Sequence, residues 1–266
     1  MAQLVALDID GTLIHYDGRM SDRVTAALSQ AAERGHHLVI ATGRSVTGSM
    51  DVMAQAGLLH GLGVFSNGAL TCRLDPSAPH GYQVTNLVTF DPTSVIAMVR
   101  EHLPDALFAV EDLDGIKISR EWPGDNEIAG RVDVVPLEQM LAQPTTRVVV
   151  YSPDHDAEEF AEVVGRIGLH GVEYSIGYSA WLDLAPAGVS KASALEQVRR
   201  ELGVDPEHTI ALGDGRNDLE MLTWAARGIA MGNAHDDLKA VADEIGPDVR
   251  EDGAAVLLES LPEVRP

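Results

Sequence analysis

The chain has 266 residues, 45% hydrophobic and 23% charged, ordinary for a globular protein of one large domain or two modest ones. Its 41 acidic against 19 basic residues give a formal net charge of -22, a field that repels nucleic-acid phosphates and anionic membrane surfaces. A single cysteine, Cys72, excludes an intrachain disulfide and a cysteine-rich zinc site, and no apolar run approaches the ~20 residues that span a bilayer. A cytoplasmic protein is expected, with no nucleic-acid or membrane partner and no protein partner implied.

The first element is "LVAL", a continuous apolar strand that runs into Asp8-Ile9-Asp10-Gly11-Thr12. Residues two apart on a strand share a face, so Asp8 and Asp10 point the same way if the extended geometry persists. Two adjacent carboxylates repel, and the arrangement is costly unless a cation lies between them. Ser21 then caps a helix whose apolar face is Val24, Ala27, Leu28 and Ala31, ending at Gly35. "HLVIATGR" gives a second buried strand leading into Thr42, Gly43 and Arg44. A helix over about residues 45–56 and a third strand at "GVFSNG" follow.

The texture changes over residues 82–184. Strands such as "LDGIKIS" and "TRVVVYS" look more alternating, and helical patterns sit near 92–103 and 155–167. Pro/Gly clusters at "LDPSAPHG", "EWPGDN" and "LAPAGVS" suit crossings between domains. The last third returns to the first style. Ser190 opens a helix through Leu202 with Gly203 at its end, and Lys191 sits at its N-terminus. "HTIALGDG" is another apolar strand, followed by Asp214, Asn217 and Asp218, a short helix near 218–226, and "GIAMGNA". Continuous apolar strands joined by helices predict an α/β fold: a doubly wound parallel-sheet (Rossmann-like) core of residues 1–81 and 185–266, with an α/β segment, 82–184, inserted.

Three of the four polar clusters fall just after a predicted parallel strand, the edge of an open α/β sheet where ligands bind. Each has a bland alternative. Thr42 and Ser190 suit helix caps, Lys191 a solvated surface, Asp214 and Asp218 a polar loop. An EF-hand loop is excluded because Leu13 occupies the position that needs glycine and the motif follows a strand. There is no Gly-x-x-x-x-Gly-Lys-Ser/Thr phosphate loop, and the ten histidines lack metal-ligand spacing. The tryptophans suit packing, with Trp181 a candidate substrate contact.

Taken together, "DIDGT", "TGR", the lysine of "GVSK" and "GDGRND", in that order, resemble the haloacid dehalogenase superfamily of phosphohydrolases. The likeness is narrower to its Cof-type branch, in which a large α/β cap lies between the second and third motifs and "SNG" precedes the cap. The resemblance implies that Asp8 is the nucleophile, forming an aspartyl-phosphate, and that Asp10 is the general acid and base. It implies Mg2+ held by the Asp8 carboxylate, the Asp10 backbone carbonyl and Asp214, with Asp218 orienting this shell from behind. Phosphate oxygens would meet the Ile9 and Gly43 backbone N–H groups, the Thr42 hydroxyl, Lys191 and Asn217. The implied activity is hydrolysis of a small phosphorylated metabolite, a sugar phosphate first among them, with 82–184 setting specificity. The alternatives are a phosphosugar mutase of the same superfamily and a non-catalytic phospho-acceptor resembling receiver domains.

Overall fold

In the computed structural model, which describes residues 1–122, 131–177 and 179–264, the chain divides into two compact units. One comprises Met1–Gly43, Met50–Asn86 and Ser190–Pro266; the other comprises Arg44–Ser49 and Leu87–Val189.

The first unit opens with β1 (Leu4–Leu7), helix α1 (Asp22–Glu33), β2 (His37–Ala41), most of helix α2 (Val46–Ala56, whose residues up to Ser49 fall in the second unit), β3 (Gly61–Phe65), β4 (Leu70–Leu74) and β5 (Tyr82–Leu87, all but its last residue). The expected helix cap is present: the Ser21 side chain accepts from the Val24 N–H, which satisfies one of the otherwise orphaned first-turn donors. The second unit carries α3 (Thr93–His102), β6 (Leu107–Asp112), β7 (Gly115–Ile118), β8 (Val132–Val134), α4 (Leu137–Met140), β9 (Arg147–Tyr151), α5 (Ala157–Ile167), β10 (Val172–Ile176) and β11 (Trp181–Pro186). The chain then returns to the first unit with α6 (Lys191–Leu202), β12 (Thr209–Gly213), α7 (Leu219–Trp224), β13 (Arg227–Ala230), α8 (Asp236–Lys239), β14 (Glu244–Ile245) and α9 (Gly253–Glu259).

The first unit's eight strands form one sheet in the order β14-β13-β12-β1-β2-β3-β4-β5. The pairs from β14 to β3 are parallel, and β4 lies antiparallel to β3. Alternate residues of the central strands, Leu4, Ala6, Val39, Ala41, Leu62 and Val64, pack against Ala194, Leu195 and Val198 of α6 and Met221 and Leu222 of α7. Val5 and Leu7 point the other way, toward the side where α1 and α9 pack together. Helices on both faces explain why the central strands read as unbroken apolar runs.

β5 lies in this sheet, although residues 82–184 were expected as the insertion. Most of its side chains are exposed, so it has no apolar alternation to announce it. "LDPSAPHG" is the connection from β4 to β5, built on Asp75, which accepts from the Ser77 N–H and hydroxyl, and is not a domain crossing. "LAPAGVS" spans the change of unit at Val189, and "EWPGDN" runs into residues outside those described.

The second unit's six-stranded sheet has the order β10-β11-β9-β6-β7-β8. On one face Phe108, Val110, Val148, Val150, Leu182 and Leu184 bury against α3 and α5 through Val95, Ile96, Val99, Phe160 and Val164. On the other, Ala109, Ile116, Ile118 and Val149 pack with Trp122 and Trp181. Tyr151 joins these two indoles in a three-ring cluster with centroids 5.4–6.3 Å apart. The same face carries Arg147, paired with Asp183 and lying 3.7 Å from Glu111.

Candidate active site

β12, β1, β2 and β3 are parallel neighbours, so their carboxyl ends share one edge, and the strand order reverses between β12 and β1. Asp8 and Asp214 follow those two strands and occupy this switch point. The Asp8 N–H donates to the Leu212 carbonyl (3.1 Å), continuing the parallel ladder one step beyond β1. After that the extended geometry ends. The Ile9 carbonyl gathers the N–H groups of Thr12, Leu13 and Ile14 at 3.3, 2.9 and 3.0 Å, and Gly11 takes φ 68° to close the turn.

The structure gathers Asp8, Asp214 and Asp218 into one buried trio in which one carboxylate oxygen from each residue lies within 4.8 Å of the others. Asp10 lies outside this trio, half-buried, because the chain turns at Ile9 instead of extending. Lys191 reaches the trio from the first turn of α6, whose start is fixed by a Ser190–Ser193 capping box. Its side chain is 0% exposed, and Nζ donates to Asp8 Oδ1 (2.7 Å) and Asp218 Oδ1 (2.6 Å). Asp218 uses its other oxygen, Oδ2, to accept the Asp214 and Gly215 N–H groups at 3.0 and 2.9 Å. With both oxygens engaged, Asp218 ties the backbone after β12 to Lys191.

The electrostatics show an unbalanced site. Burial pushes the Asp8 carboxyl well above the usual range; Lys191 pulls it back, while Asp218, Asp214 and Asp10 push it further up. Asp214 is pushed up to about 7 by burial, with the Tyr16 hydrogen bond and Lys191 opposing and Asp218 and Asp10 adding. Burial works against the Lys191 charge, but Asp218 and Asp8 outweigh it and the ammonium is held firmly protonated.

Thr42, Gly43 and Asn217 come to the same edge. Thr42 is buried after β2, and its carbonyl accepts from the Asn67 N–H (3.1 Å). Asn217 Nδ2 donates to Asn67 Oδ1 (2.9 Å), and a Cβ on Gly43 would meet that same Oδ1 at 3.0 Å. Asn67 belongs to "SNG", which the sequence reading noted without assigning it a role. Ser66, Asn67 and Gly68 all take positive φ, at 51°, 54° and 103°, a costly backbone held against Thr42 and Asn217. At Gly68 any side chain would run into the Ser190 backbone, beside Lys191.

Two further residues were missed. The Tyr16 hydroxyl donates to Asp214 Oδ2, and Asn233, after β13, sends Nδ2 to Gly11 O (2.8 Å) and Asp214 Oδ2 (3.1 Å). The Val249 N–H donates to Asn233 Oδ1 (2.9 Å), which fixes the amide's orientation. Burial and then the Asp214 carboxylate push the Tyr16 phenol up, so it stays a donor. Asn233 stands in "GNA", the only local signal that could have found it.

The donor set fits a hard divalent cation such as Mg2+. It is all oxygen, it is buried, and its carboxylates outnumber the single lysine, leaving two of them pushed toward the neutral form.

Residues 5–258 match the model of the haloacid dehalogenase-like hydrolase family. Among curated proteins, the chain is 27% identical to the 5-amino-6-(5-phospho-D-ribitylamino)uracil phosphatase YitU of Bacillus subtilis, over 96% of each chain. It is 28% identical to the pyridoxal phosphate phosphatase YbhA of Escherichia coli, over 97% of this chain and 98% of that one. Among solved structures, a phosphatase of the haloalkanoate (HAD) superfamily from Bacteroides thetaiotaomicron superposes with a TM-score of 0.78 at 26% identity, covering 97% of this chain and 94% of that one. A haloacid dehalogenase-like hydrolase from B. subtilis has a TM-score of 0.83 at 21% identity, covering 98% and 100%, and shares the fold.

Proposed function

The chain belongs to the haloacid dehalogenase-like hydrolases, and on that footing we propose that it is a Mg2+-dependent phosphatase of a small phosphorylated metabolite, working through an aspartyl-phosphate. The observation that carries this reading is the buried Asp8–Lys191–Asp218 array beside Asp214, at the sheet's switch point. Family membership favours an enzyme over the phospho-acceptor alternative.

In the proposed reaction an Asp8 oxygen attacks phosphorus, the bond to the leaving oxygen breaks, and Asp10 delivers a proton to that oxygen. A water then attacks the phosphorus, Asp10 takes its proton, and the bond to Asp8 breaks to release phosphate. Lys191 holds Asp8 in place and balances part of its charge. The Ile9 and Gly43 N–H groups, the Thr42 hydroxyl and Asn217 supply donors to the phosphoryl oxygens, with Asn67 bracing Thr42 and Asn217. Asp8, the Asp10 carbonyl and Asp214 would hold Mg2+, which supplies the positive charge that lets an anionic nucleophile approach an anionic ester.

We assign leaving-group selection to the second unit. A sugar phosphate is the reading implied by the resemblance. A second reading, an ester of a planar nitrogen heterocycle, is favoured by the Trp122–Tyr151–Trp181 cluster, a π-surface in a chain with only three tryptophans. The relatives named for a uracil derivative and for pyridoxal phosphate point the same way. The test is phosphate release from a panel of sugar phosphates and heterocyclic esters, pyridoxal phosphate included, with Mg2+. No release from any ester sinks the phosphatase; isomerised sugar phosphate without release makes it a mutase; faster turnover of sugars sinks the heterocycle reading.

A further inference from the structure

The donors around Asp214 are unevenly placed. Tyr16 Oη and Asn233 Nδ2 both converge on Oδ2, and a carboxylate oxygen accepts about two such bonds. Oδ2 is therefore filled by protein donors, and Oδ1 is the oxygen left to face a cation. On Asp8 one oxygen, Oδ1, is engaged by Lys191 Nζ at 2.7 Å. Asp218 is the most occupied of the three, with Oδ2 filled by two backbone donors and Oδ1 engaged by Lys191. The trio thus presents single oxygens where it could present carboxylate pairs.

That geometry discriminates between cations. Ca2+ takes six to eight oxygens at about 2.3–2.6 Å and commonly uses a carboxylate through both of its oxygens. Mg2+ takes six at about 2.0–2.1 Å, usually from one or two single carboxylate oxygens plus water. Resting on the phosphatase reading, we propose that Tyr16 and Asn233 are positioning residues that hold Asp214 monodentate and thereby set the site's preference for Mg2+ over Ca2+.

The two residues suit this task differently. Asn233 is a junction: it ties the Gly11 turn after β1, Asp214 after β12 and the Val249 backbone into one network. Tyr16 lies on the surface, 72% exposed, and its hydroxyl reaches inward to Asp214. Removing that hydroxyl takes away one Oδ2 donor and the acceptor that Asn233 Nδ2 reaches at 3.3 Å, so Oδ2 becomes available to a larger ion.

The experiment titrates the full-length, chelator-treated protein with Mg2+ and separately with Ca2+ by calorimetry, for wild type, Tyr16→Phe and Asn233→Ala. Outer-shell changes cost about 10–100-fold in metal affinity. Tyr16→Phe should weaken Mg2+ by about tenfold while Ca2+ binding holds or tightens, so the Mg2+/Ca2+ preference falls by about tenfold or more. Melting of the metal-free variants tells whether Asn233→Ala also loosens the fold; Tyr16→Phe should melt as wild type and carries the test alone if it does. Equal losses for both ions, or no change for either, overturn the role given to Tyr16 and Asn233. A wild-type protein that binds no Mg2+ overturns the cation reading of the site itself.

Discussion

Replacing Lys191 by Met keeps an unbranched apolar stem and deletes one charge. The ammonium is 0% exposed and is shared between Asp8 and Asp218 at 2.7 and 2.6 Å, so its loss leaves buried carboxylates without their counter-ion. Removing one partner of a buried ion pair costs about 3–5 kcal/mol. At about 2–4 °C per kcal/mol for a protein of this size, the metal-free variant should melt about 6–20 °C below wild type near neutral pH. The deficit has a direction in pH. An orphaned carboxylate can escape by taking a proton, which becomes easier by about 1.4 kcal/mol for each unit that the pH falls. Lowering the pH from about 7.5 to about 5.5 should therefore recover up to about 2.7 kcal/mol per carboxylate, and the gap from wild type should narrow. Scanning calorimetry of chelator-treated protein at both pH values measures this. Equal midpoints at the higher pH, or a gap equally wide at the lower one, would refute the claim that Lys191 neutralises these two acids.

Three further outcomes follow from the same geometry. Asp8→Asn removes the proposed nucleophile while leaving an isosteric group beside Lys191, so turnover should fall by at least ~10⁴-fold in a folded protein; a substantial residual rate would reassign the nucleophile. Gly11→Ala places a methyl group against the Asp214 carboxylate, 2.6 Å from its Cγ and 2.8 Å from the Tyr16 oxygen, at a φ of 68° that alanine resists. It should abolish Mg2+-dependent activity, and activity near wild type would show that Asp214 need not stay where it is. In metal-free protein, Asp214 is pushed up to about 7 from an ordinary 3.8, so the folded state holds its proton where the unfolded chain has lost it. The stability it contributes is present below about pH 4 and lost as the pH rises to about 7, on the order of 4 kcal/mol in all. His36, lowered by burial, works in the opposite sense, so the comparison is with Asp214→Asn, whose melting should fall less steeply over this range. Parallel curves would sink the assignment.

What could be read in advance divides along physical lines. β1 and β12 were legible because strands covered on both faces must be apolar throughout, and the acids that follow them interrupt that run. The α6 helix was legible because Ser190 and Gly203 are local punctuation, and both do the expected work: a side-chain cap at one end, φ 67° at the other. The misses are long-range or weakly patterned. Tyr16 meets Asp214 across 198 positions and Asn233 meets Gly11 across 222, and no periodicity encodes such pairings. Asp8 and Asp10 were read as strand neighbours, but the ladder ends at Asp8 and the Gly11 turn redirects the chain, so only Asp8 joins the buried trio.

This redirection also shows how a chain with a charge of -22 tolerates so many acids in one buried place. Each carboxylate is distinguished by what already occupies it. Asp218 is the most occupied, by Lys191 on one oxygen and two backbone donors on the other. Asp8 is half occupied by Lys191, and Asp214 half occupied by Tyr16 and Asn233. The two half-occupied residues are also the two whose carboxyls are driven upward. An acid with both oxygens satisfied gains nothing from a cation, whereas an acid with one oxygen satisfied is fixed in direction and still short of positive charge. The instability of the metal-free site and its capacity to take Mg2+ are thus one property, set by how many donors the fold supplies to each carboxylate. Adding a donor to the half-occupied pair should stabilise the metal-free protein and weaken Mg2+ binding together, whereas removing one, as in Tyr16→Phe, loosens the carboxylate's direction and should favour the larger cation over Mg2+.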